Sequence, residues 1–361
     1  MRHRLNNDSH SFVRAIHLRT PGVPIQDVRI GCSRVMQPLA WDTPACRLAV
    51  DGDSATLHFH RPDNWARFAF DILQVSSSGL DGAPDVAPLG RIEALPERSL
   101  DDIRQALRGK RIAFLGTARS CAKALPASIT KLRALGALFG SAEIHVYEND
   151  SSDDTGALLD HFARDGLLHA QREQGIAQRM PLRTERLAYG RNKLLDNVLA
   201  QQTAPGGVPF DYLCWADLDG LVGERFSVDG FLSNFQFEEA WDAVFPLSWP
   251  LYYDLWALRE PTICAADYVW SGQHTLNAAL FAGREIHAAT QQLAPGRVAG
   301  WVPVQSAFGG FGLYKAAVAG LGRYTGLVDG REVCEHVPYH AQLVAAGARL
   351  YLNPKCITHI A

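Results

Sequence analysis

No stretch of the 361 residues reaches the roughly 18 consecutive apolar positions of a membrane-spanning helix. The opening Met1-Arg2-His3-Arg4-Leu5-Asn6-Asn7-Asp8 is basic, but no apolar run follows, so no signal peptide is expected. The seven cysteines (Cys32, Cys46, Cys121, Cys214, Cys264, Cys334 and Cys356) are scattered and include no C-x-x-C pair. Such a set suits a reducing compartment better than a disulfide framework. These absences point to the cytoplasm and leave peripheral association at the inner face of a membrane open. Positive charge is not in surplus: 35 Lys and Arg face 38 Asp and Glu, a net charge of −3. That argues against a nucleic-acid partner, although local arginine clusters can still hold phosphate. Neither an internal repeat nor a long low-complexity tract is present. What remains is 47% apolar and 20% charged, the composition of a soluble globular protein, with length enough for two domains.

The first 25 or so residues are polar and are expected to be poorly ordered. From Asp27 to Val75 the pattern is strand-like. Residues 46–50 and 55–60 flank Asp51-Gly52-Asp53-Ser54, a hairpin signal with a glycine in the turn. Residues 68–73 continue the β character, and 76–84 read as a loop. A small β-rich module over residues 1–100 is the expectation. Ser99 is an N-cap candidate for a short helix over 99–107. Past Gly109 strands and helices alternate: strand 111–116, helix 124–139, strand 142–147, helix 154–163, helix 183–201, then the apolar strand that starts at Leu213. This alternation predicts an α/β domain over 108–361, with a mostly parallel sheet covered on both faces. Ligands in such sheets bind at the carboxyl ends of the strands.

One strand end carries Leu213-Cys214-Trp215-Ala216-Asp217-Leu218-Asp219-Gly220. Carboxylates two residues apart on a strand share a face, and both can turn toward one hard cation. Oxygen ligands of this kind suit Mg²⁺ or Mn²⁺ with a substrate diphosphate. A solvated turn is the plainer alternative. A second strand end, Glu148-Asn149-Asp150-Ser151-Ser152-Asp153-Asp154-Thr155, is dense in acceptors that suit a ribose or base, or else an N-cap and turn. Arg183, Arg186 and Gly190 fall near one helix face, with Arg191 close to that stripe. They read either as bidentate donors to a diphosphate or as a solvated face. Gln305-Ser306-Ala307-Phe308-Gly309-Gly310-Phe311 is a glycine-rich turn that lets backbone approach a ligand, or a tight turn alone. Cys334-Glu335-His336 places an acid beside an imidazole, with His340 close by, and His359 follows a strand-like segment near the end of the sequence.

Taken in order, these pieces resemble the GT-A fold of nucleotide-sugar glycosyltransferases. That fold carries an Asp-x-Asp metal motif, a glycine-containing loop, an x-Glu-Asp motif and a C-terminal metal-binding His. Here Asp217-Leu218-Asp219, Gly309-Gly310, Cys334-Glu335-His336 and His359 look like the matching positions, with His336 where Asp is usual. Three segments are similar to the fungal capsule α-1,3-mannosyltransferase family: residues 147–155, Tyr252-Tyr253-Asp254-Leu255-Trp256-Ala257-Leu258-Arg259, and the Cys-Glu-His run. The resemblance covers about residues 110–361. Thr117-Ala118-Arg119-Ser120-Cys121 departs from the Arg-Asn pair it implies after the first strand, which puts a nucleotide contact by Cys121 in doubt.

The resemblance implies a GT-A-like, Rossmann-type mixed sheet flanked by helices. It implies a donor such as GDP-mannose or a UDP-sugar, a Mn²⁺ or Mg²⁺ ion, and a glycan or lipid-linked acceptor in surface polysaccharide synthesis. Asp217, Asp219 and His359 would hold the metal. Glu148, Asn149, Asp150, Arg186, Arg191, Asp217, Gly309 and Gly310 would hold the donor. Glu335 and His336 would serve the chemistry, with Glu335 a base if the enzyme inverts and an acceptor-positioning group if it retains. Tyr252, Tyr253, Trp256 and Trp270 could line an acceptor groove, with Asp254 and Arg259 on hydroxyls or phosphate, or they could be packing residues. Two other classes compete. A non-catalytic glycan-binding protein has no need of a metal site. A sugar nucleotidyltransferase would show a glycine-rich, Lys/Arg-bearing loop near its start, and Lys110-Arg111 precedes a strand without one.

Overall fold

The computed structural model describes residues 3–5, 12–20, 22, 24–32, 46–63, 70–77, 89–220, 222–223, 225–261, 263–264, 267, 291–295, 297 and 300–359. Trp270 lies outside them, as do most of the loop expected at 76–84 and the Asp27–Val75 positions at 33–45 and 64–69. The chain divides into two units, Met1–Arg98 with Phe237–Ala240, and Ser99–Gln236 with Trp241–Ala361.

The described part of the first unit is mainly β. Its strands are β1 (His3–Leu5), β2 (Val13–Arg19), β3 (Ile25–Cys32), β4 (Cys46–Asp51), β5 (Ser54–Asp63), β6 (Phe70–Ser77) and β7 (Leu89–Ala94). They form a three-stranded sheet, β1-β6-β3, and a four-stranded sheet, β4-β5-β2-β7. The hairpin falls where the turn residues place it: Asp51 pairs with Ser54, and Gly52 takes φ +58°. For the described residues 12–20 the expected disorder is corrected here. β2 is an interior strand, paired with both β5 and β7. Ile16 and Leu18 are buried and alternate with His17 and Arg19, while a register shift between Val13 and Ala15 breaks the alternation further back.

The second unit opens with α1 (Leu100–Leu107), where the Ser99 hydroxyl accepts the Asp102 N–H at 3.1 Å. Then follow β8 (Arg111–Ala118), α2 (Leu125–Gly136), β9 (Ser141–Asn149), α3 (Thr155–Arg164), β10 (His169–Glu173), α4 (Ile176–Arg179), α5 (Arg183–Thr203) and β11 (Tyr212–Ala216). The later elements are α6 (Val228–Leu232), β12 (Ala243–Trp249), β13 (Val302–Val304), β14 (Phe311–Lys315), α7 (Ala316–Ala319), β15 (Leu327–Val328), β16 (Arg331–Glu332), α8 (His336–Ala345) and β17 (Leu350–His359).

Eight strands make one mixed sheet in the order β10-β9-β8-β11-β14-β12-β17-β13. β10, β9, β8 and β11 run parallel, β14 is antiparallel to both of its neighbours, and β12 and β17 are again parallel. The sheet is therefore mixed α/β, as the resemblance implied, and less parallel than the alternation alone suggested.

Helices cover both faces, and two glycines show how closely. A Cβ on Gly136 of α2 would meet Ala142 at 2.8 Å, and one on Gly190 of α5 would meet Tyr147 at 2.5 Å. Positions 142 and 147 of β9 have opposite parity, so α2 and α5 lie on opposite faces. The α5 face holds the main core, including Ala113, Leu115, Tyr147, Leu194, Leu195, Val198, Leu213 and Trp215. Among the described residues no helix is long and apolar enough to cross a membrane.

Candidate active site

Past the end of β11 the alternation of the strand continues. Trp215 belongs to the core on the α5 face, so Asp217 and Asp219 follow on that side while Leu218 turns to the other. Leu218 is buried, and a Cβ on Gly116 would meet its side chain at 2.9 Å. The Ser128 hydroxyl of α2 donates to the Leu218 carbonyl at 3.2 Å. The apolar residue between the two carboxylates thus anchors the segment and leaves both acids facing a cleft of about 390 Å³.

The cleft is lined by groups of both charges. Asp217, Asp219, Asp254 and Glu335 supply the carboxylates, and Arg119, Arg183, Arg186 and Arg191 supply the guanidinium groups. Arg191, from the third turn of α5, is buried. Its Nε donates to Glu335 Oε1 at 3.1 Å, and a terminal nitrogen lies 3.7 Å from Asp217 Oδ1. The guanidinium sits 5.2 Å from the Trp215 ring centroid and 4.9 Å from that of Phe308, within reach of a cation–π attraction. Its NH1 is buried without a hydrogen-bond partner.

One buried arginine shares the cleft with four carboxylates, and Asp217 and Asp254 are both shifted upward. Burial pushes the Asp217 carboxyl up to about 7; Arg191 pulls it back, and Asp219, Asp254 and Glu335 push it further up. Burial also raises Asp254, against the hydrogen bond it accepts from Gly309 N at 2.9 Å. Burial first, then Asp217 and Asp254, keeps the Tyr253 phenol protonated. Tyr253 and Trp256 line the cleft, and the Trp256 indole N–H there is buried with no partner.

Two strand-end loops form one wall. Ser120 N donates to Ser151 Oγ at 3.0 Å, Cys121 N to Thr155 Oγ1 at 2.8 Å, and Ala122 N to Asp153 Oδ2 at 3.0 Å. Thr117 and Asn149, at the ends of β8 and β9, and Arg119 and Cys121 of the first loop line the cleft.

Several residues expected at the donor are held elsewhere. Glu148 is fully buried; one oxygen accepts from Arg172 Nε at 3.0 Å and the other from Ser151 N at 2.8 Å. Asp150 accepts from Gly175 N at 2.6 Å and Ala177 N at 2.7 Å, which seats the start of α4. Neither is among the lining residues. Their density at the strand end belongs to loop construction, the turn alternative for that segment.

Gly309 and Gly310 do not line the cleft either. They clip it together from behind. Asp217 N donates to Gly310 O at 2.9 Å, and Thr358 Oγ1 donates to Gly309 O at 2.9 Å. Their φ angles of +68° and +82° lie in the left-handed region that favours glycine.

Arg259 donates to the Trp256 and Leu258 carbonyls and to Asp267, and it does not line the cleft. Tyr252 is a core residue. His336 does line the cleft, but its ring is buried and stacks on Phe308 at 3.9 Å. Burial, Arg191 and His340 hold it well below the usual imidazole range, so it is neutral. His359, at the end of β17, pairs in register with Trp249 and does not line the cleft; its Nδ1 is buried without a partner. Asp217, Asp219 and His359 do not bring their ligand atoms within 4.8 Å of one another.

Sequence reasoning missed Phe308 and Trp215 as the aromatic bed of Arg191. They come from segments far apart in the chain, and no one-dimensional signal joins them.

No family model and no curated protein matches the sequence. Among solved structures, the chain is similar to GalNAc-T7 with UDP, GalNAc and Mn²⁺, at 12% identity and a TM-score of 0.40, over 69% of this chain and 43% of that one. The chain thus spans less than half of that protein. Glucosyl-3-phosphoglycerate synthase from Mycobacterium tuberculosis, with Mn²⁺, UDP and phosphoglyceric acid, is similar at 13% identity and a TM-score of 0.36, over 70% and 69% of the two chains. S. aureus TarS residues 1–349 is similar at 10% identity and a TM-score of 0.36, over 70% and 60%.

Proposed function

We propose that this protein is a metal-dependent glycosyltransferase that moves a sugar from a nucleoside-diphosphate donor to an acceptor hydroxyl. One observation carries the reading: Asp217 and Asp219, just past a strand end, share one cleft with Glu335 and with Arg119, Arg183 and Arg186. A metal-diphosphate carries both signs of charge. Its cation meets carboxylates and its phosphate oxygens meet guanidinium groups.

The residues present fit a hard divalent cation such as Mn²⁺ or Mg²⁺. Four carboxylates share the cleft with one buried arginine; burial first, and then Asp219, Asp254 and Glu335 against the pull of Arg191, raise Asp217 to about 7, and a bound cation would offset that cost of charging it. Asp219 and Asp217 would hold the ion. His359, with its orphaned Nδ1, is the candidate third ligand. Bound there, the ion supplies Lewis-acid stabilisation of the leaving diphosphate.

The chain's own residues do the rest. Arg183 and Arg186, at the start of α5, hold phosphate oxygens by charge-assisted hydrogen bonds. Asn149 and Thr117 face the nucleoside end of the cleft. Tyr253 and Trp256 present an aromatic wall with one phenol and one indole donor for sugar hydroxyls. Glu335, fixed by Arg191, orients the acceptor hydroxyl. In the transfer the anomeric carbon exchanges its bond to the diphosphate oxygen for a bond to the acceptor oxygen. The hydroxyl proton passes to Glu335 if the enzyme inverts, or to the leaving diphosphate oxygen if it retains.

In its finer form the proposal is an α-1,3-mannosyltransferase of surface polysaccharide synthesis, using GDP-mannose and a glycan or lipid-linked acceptor. The three segments similar to the fungal capsule family support it. A thermal-shift screen of GDP-mannose and UDP-sugars with Mn²⁺ tests the reading. One sugar nucleotide should raise the melting temperature only when Mn²⁺ is present. If none does, the reading fails.

A further inference from the structure

A second group of ligating side chains lies on the same sheet but outside the cleft. Glu143 and His145 are two residues apart on β9, on the face shared with Tyr147 and turned toward α5. His169 of the edge strand β10 stands in register with His145, so its side chain falls on that face too. His145 Nε2 lies 3.1 Å from Glu143 Oε2, and His169 Nε2 lies 3.8 Å from the same oxygen. The two imidazole rings stack at 4.7 Å. One ligand atom from each of the three residues lies within 4.8 Å of the others, and among the described residues this is the one such trio of His, Cys, Asp and Glu.

The surroundings orient the trio. The other Glu143 oxygen accepts from Arg111 NH2 at 3.2 Å, which fixes the carboxylate with Oε2 toward the imidazoles. His145 is buried and cannot swing away, whereas the His169 side chain is 64% exposed and free to close. A cavity of about 460 Å³ adjoins the two histidines, with Gln171, Asn197 and Leu194 on its walls. None of the three ligating residues lines the catalytic cleft.

Ligand atoms bound at about 2.0–2.1 Å to a tetrahedral ion stand about 3.3–3.4 Å apart. The 3.1 Å pair is already close to that spacing, and rotation of His169 brings the third atom in. Two imidazoles and one carboxylate suit a borderline-soft ion, not Mg²⁺. We propose that Glu143, His145 and His169 bind one divalent transition-metal ion of the zinc class, with water in a fourth position, in a site distinct from the cleft. Such an ion joins β10 to β9 and strengthens the edge of the sheet.

Calorimetry with Zn²⁺ alone tests the site, using the full chain carrying Asp219→Asn so that the proposed cleft ligand is absent. This protein should bind one Zn²⁺ and melt at a higher temperature with it. Adding His169→Ala, and separately Glu143→Gln, should weaken Zn²⁺ by tenfold or more and abolish the shift. The His169 change falls on an exposed side chain, so the fold is retained. Co²⁺ in place of Zn²⁺ should give visible absorption that both changes remove. Equal Zn²⁺ affinity with and without His169→Ala overturns the proposal, as does an Asp219→Asn protein that binds no Zn²⁺.

Discussion

Arg191 Nε donates to Glu335 Oε1 at 3.1 Å, joining α5 to the N-cap of α8 between residues 144 positions apart. Both side chains are almost fully buried, at 3% and 4% exposure. Removing one partner of such a pair typically costs about 3–5 kcal/mol, because it leaves the other charge buried and unpaired. Arg191→Met is therefore expected to lower stability by about 3 kcal/mol or more in urea unfolding. Adding Glu335→Gln should restore part of that loss, giving a double-mutant cycle with a clear coupling. Additive losses would contradict the pairing.

Acid should destabilise the unit through its interior imidazoles. Burial first, then Arg191, holds His340 down to about 3, with Ser306 Oγ at 2.9 Å and Tyr314 Oη at 2.7 Å on its two nitrogens. His336 is lowered as well, for the same reasons and by His340 itself. The folded state keeps both neutral, while the unfolded chain takes up protons as pH falls through about 6.5. The unfolded state then binds more protons, so stability is full above that pH and falls below it, down to the folded pKa. Well below pH 6.5 each histidine contributes a slope of about 1.4 kcal/mol per pH unit. Urea unfolding between pH 7 and 5 should show the loss, and His340→Gln should reduce the slope. An unchanged slope in that variant would contradict the assignment.

Two glycines should fail for different reasons. At Gly309 a Cβ meets Pro246 at an ordinary 3.5 Å, so the cost of Gly309→Ala lies in its φ of +68°. About 1–2 kcal/mol is expected. At Gly190 the clash with Tyr147 Cδ1 at 2.5 Å sets the cost of Gly190→Ala, about 1–3 kcal/mol. Tyr147→Phe leaves that ring in place and should not rescue Gly190→Ala; Tyr147→Leu should. Thermal melts of these variants check the assignment.

His359 is joined to the site through its neighbour Thr358, which donates to Gly309 O at 2.9 Å while Gly310 O receives Asp217 N. If its Nδ1 completes the metal shell, His359→Ala should weaken Mn²⁺ in the donor complex by roughly tenfold. Calorimetric Mn²⁺ titration in the presence of donor reads this, and an affinity within twofold of the parent would remove His359 from the site.

Much of the fold was legible because local chemistry and periodicity agreed. Ser99 caps α1, Gly52 turns the hairpin, and β8, α2, β9, α3 and α5 fall within a few residues of their expected bounds. β10 was missed because His169-Ala170-Gln171-Arg172-Glu173 is polar, as an edge strand can be. β2 was missed because only Ile16 and Leu18 alternate with His17 and Arg19, and a register shift between Val13 and Ala15 hides the rest of the strand. At the site, the sequence singled out Asp217, Asp219, Glu335, Arg186 and Arg191, all of which line the cleft. It could not show that Glu148 and Asp150 are held by Arg172 and by the amides at the start of α4, since those partners lie 24 to 27 positions away. Nor could it show that His336 stacks on Phe308 at the wall of the cleft and is held neutral by burial.

The most direct test is donor binding by Asp219→Asn. Asp219 is exposed at the cleft and holds no hydrogen bond that the fold requires, so the variant should melt like the parent. In calorimetry with Mn²⁺ and the sugar nucleotide found by the thermal-shift screen, its donor affinity should fall by tenfold or more, and transfer should be lost with it. A correctly folded Asp219→Asn protein that binds donor with Mn²⁺ as tightly as the parent would contradict the metal-diphosphate reading of the cleft.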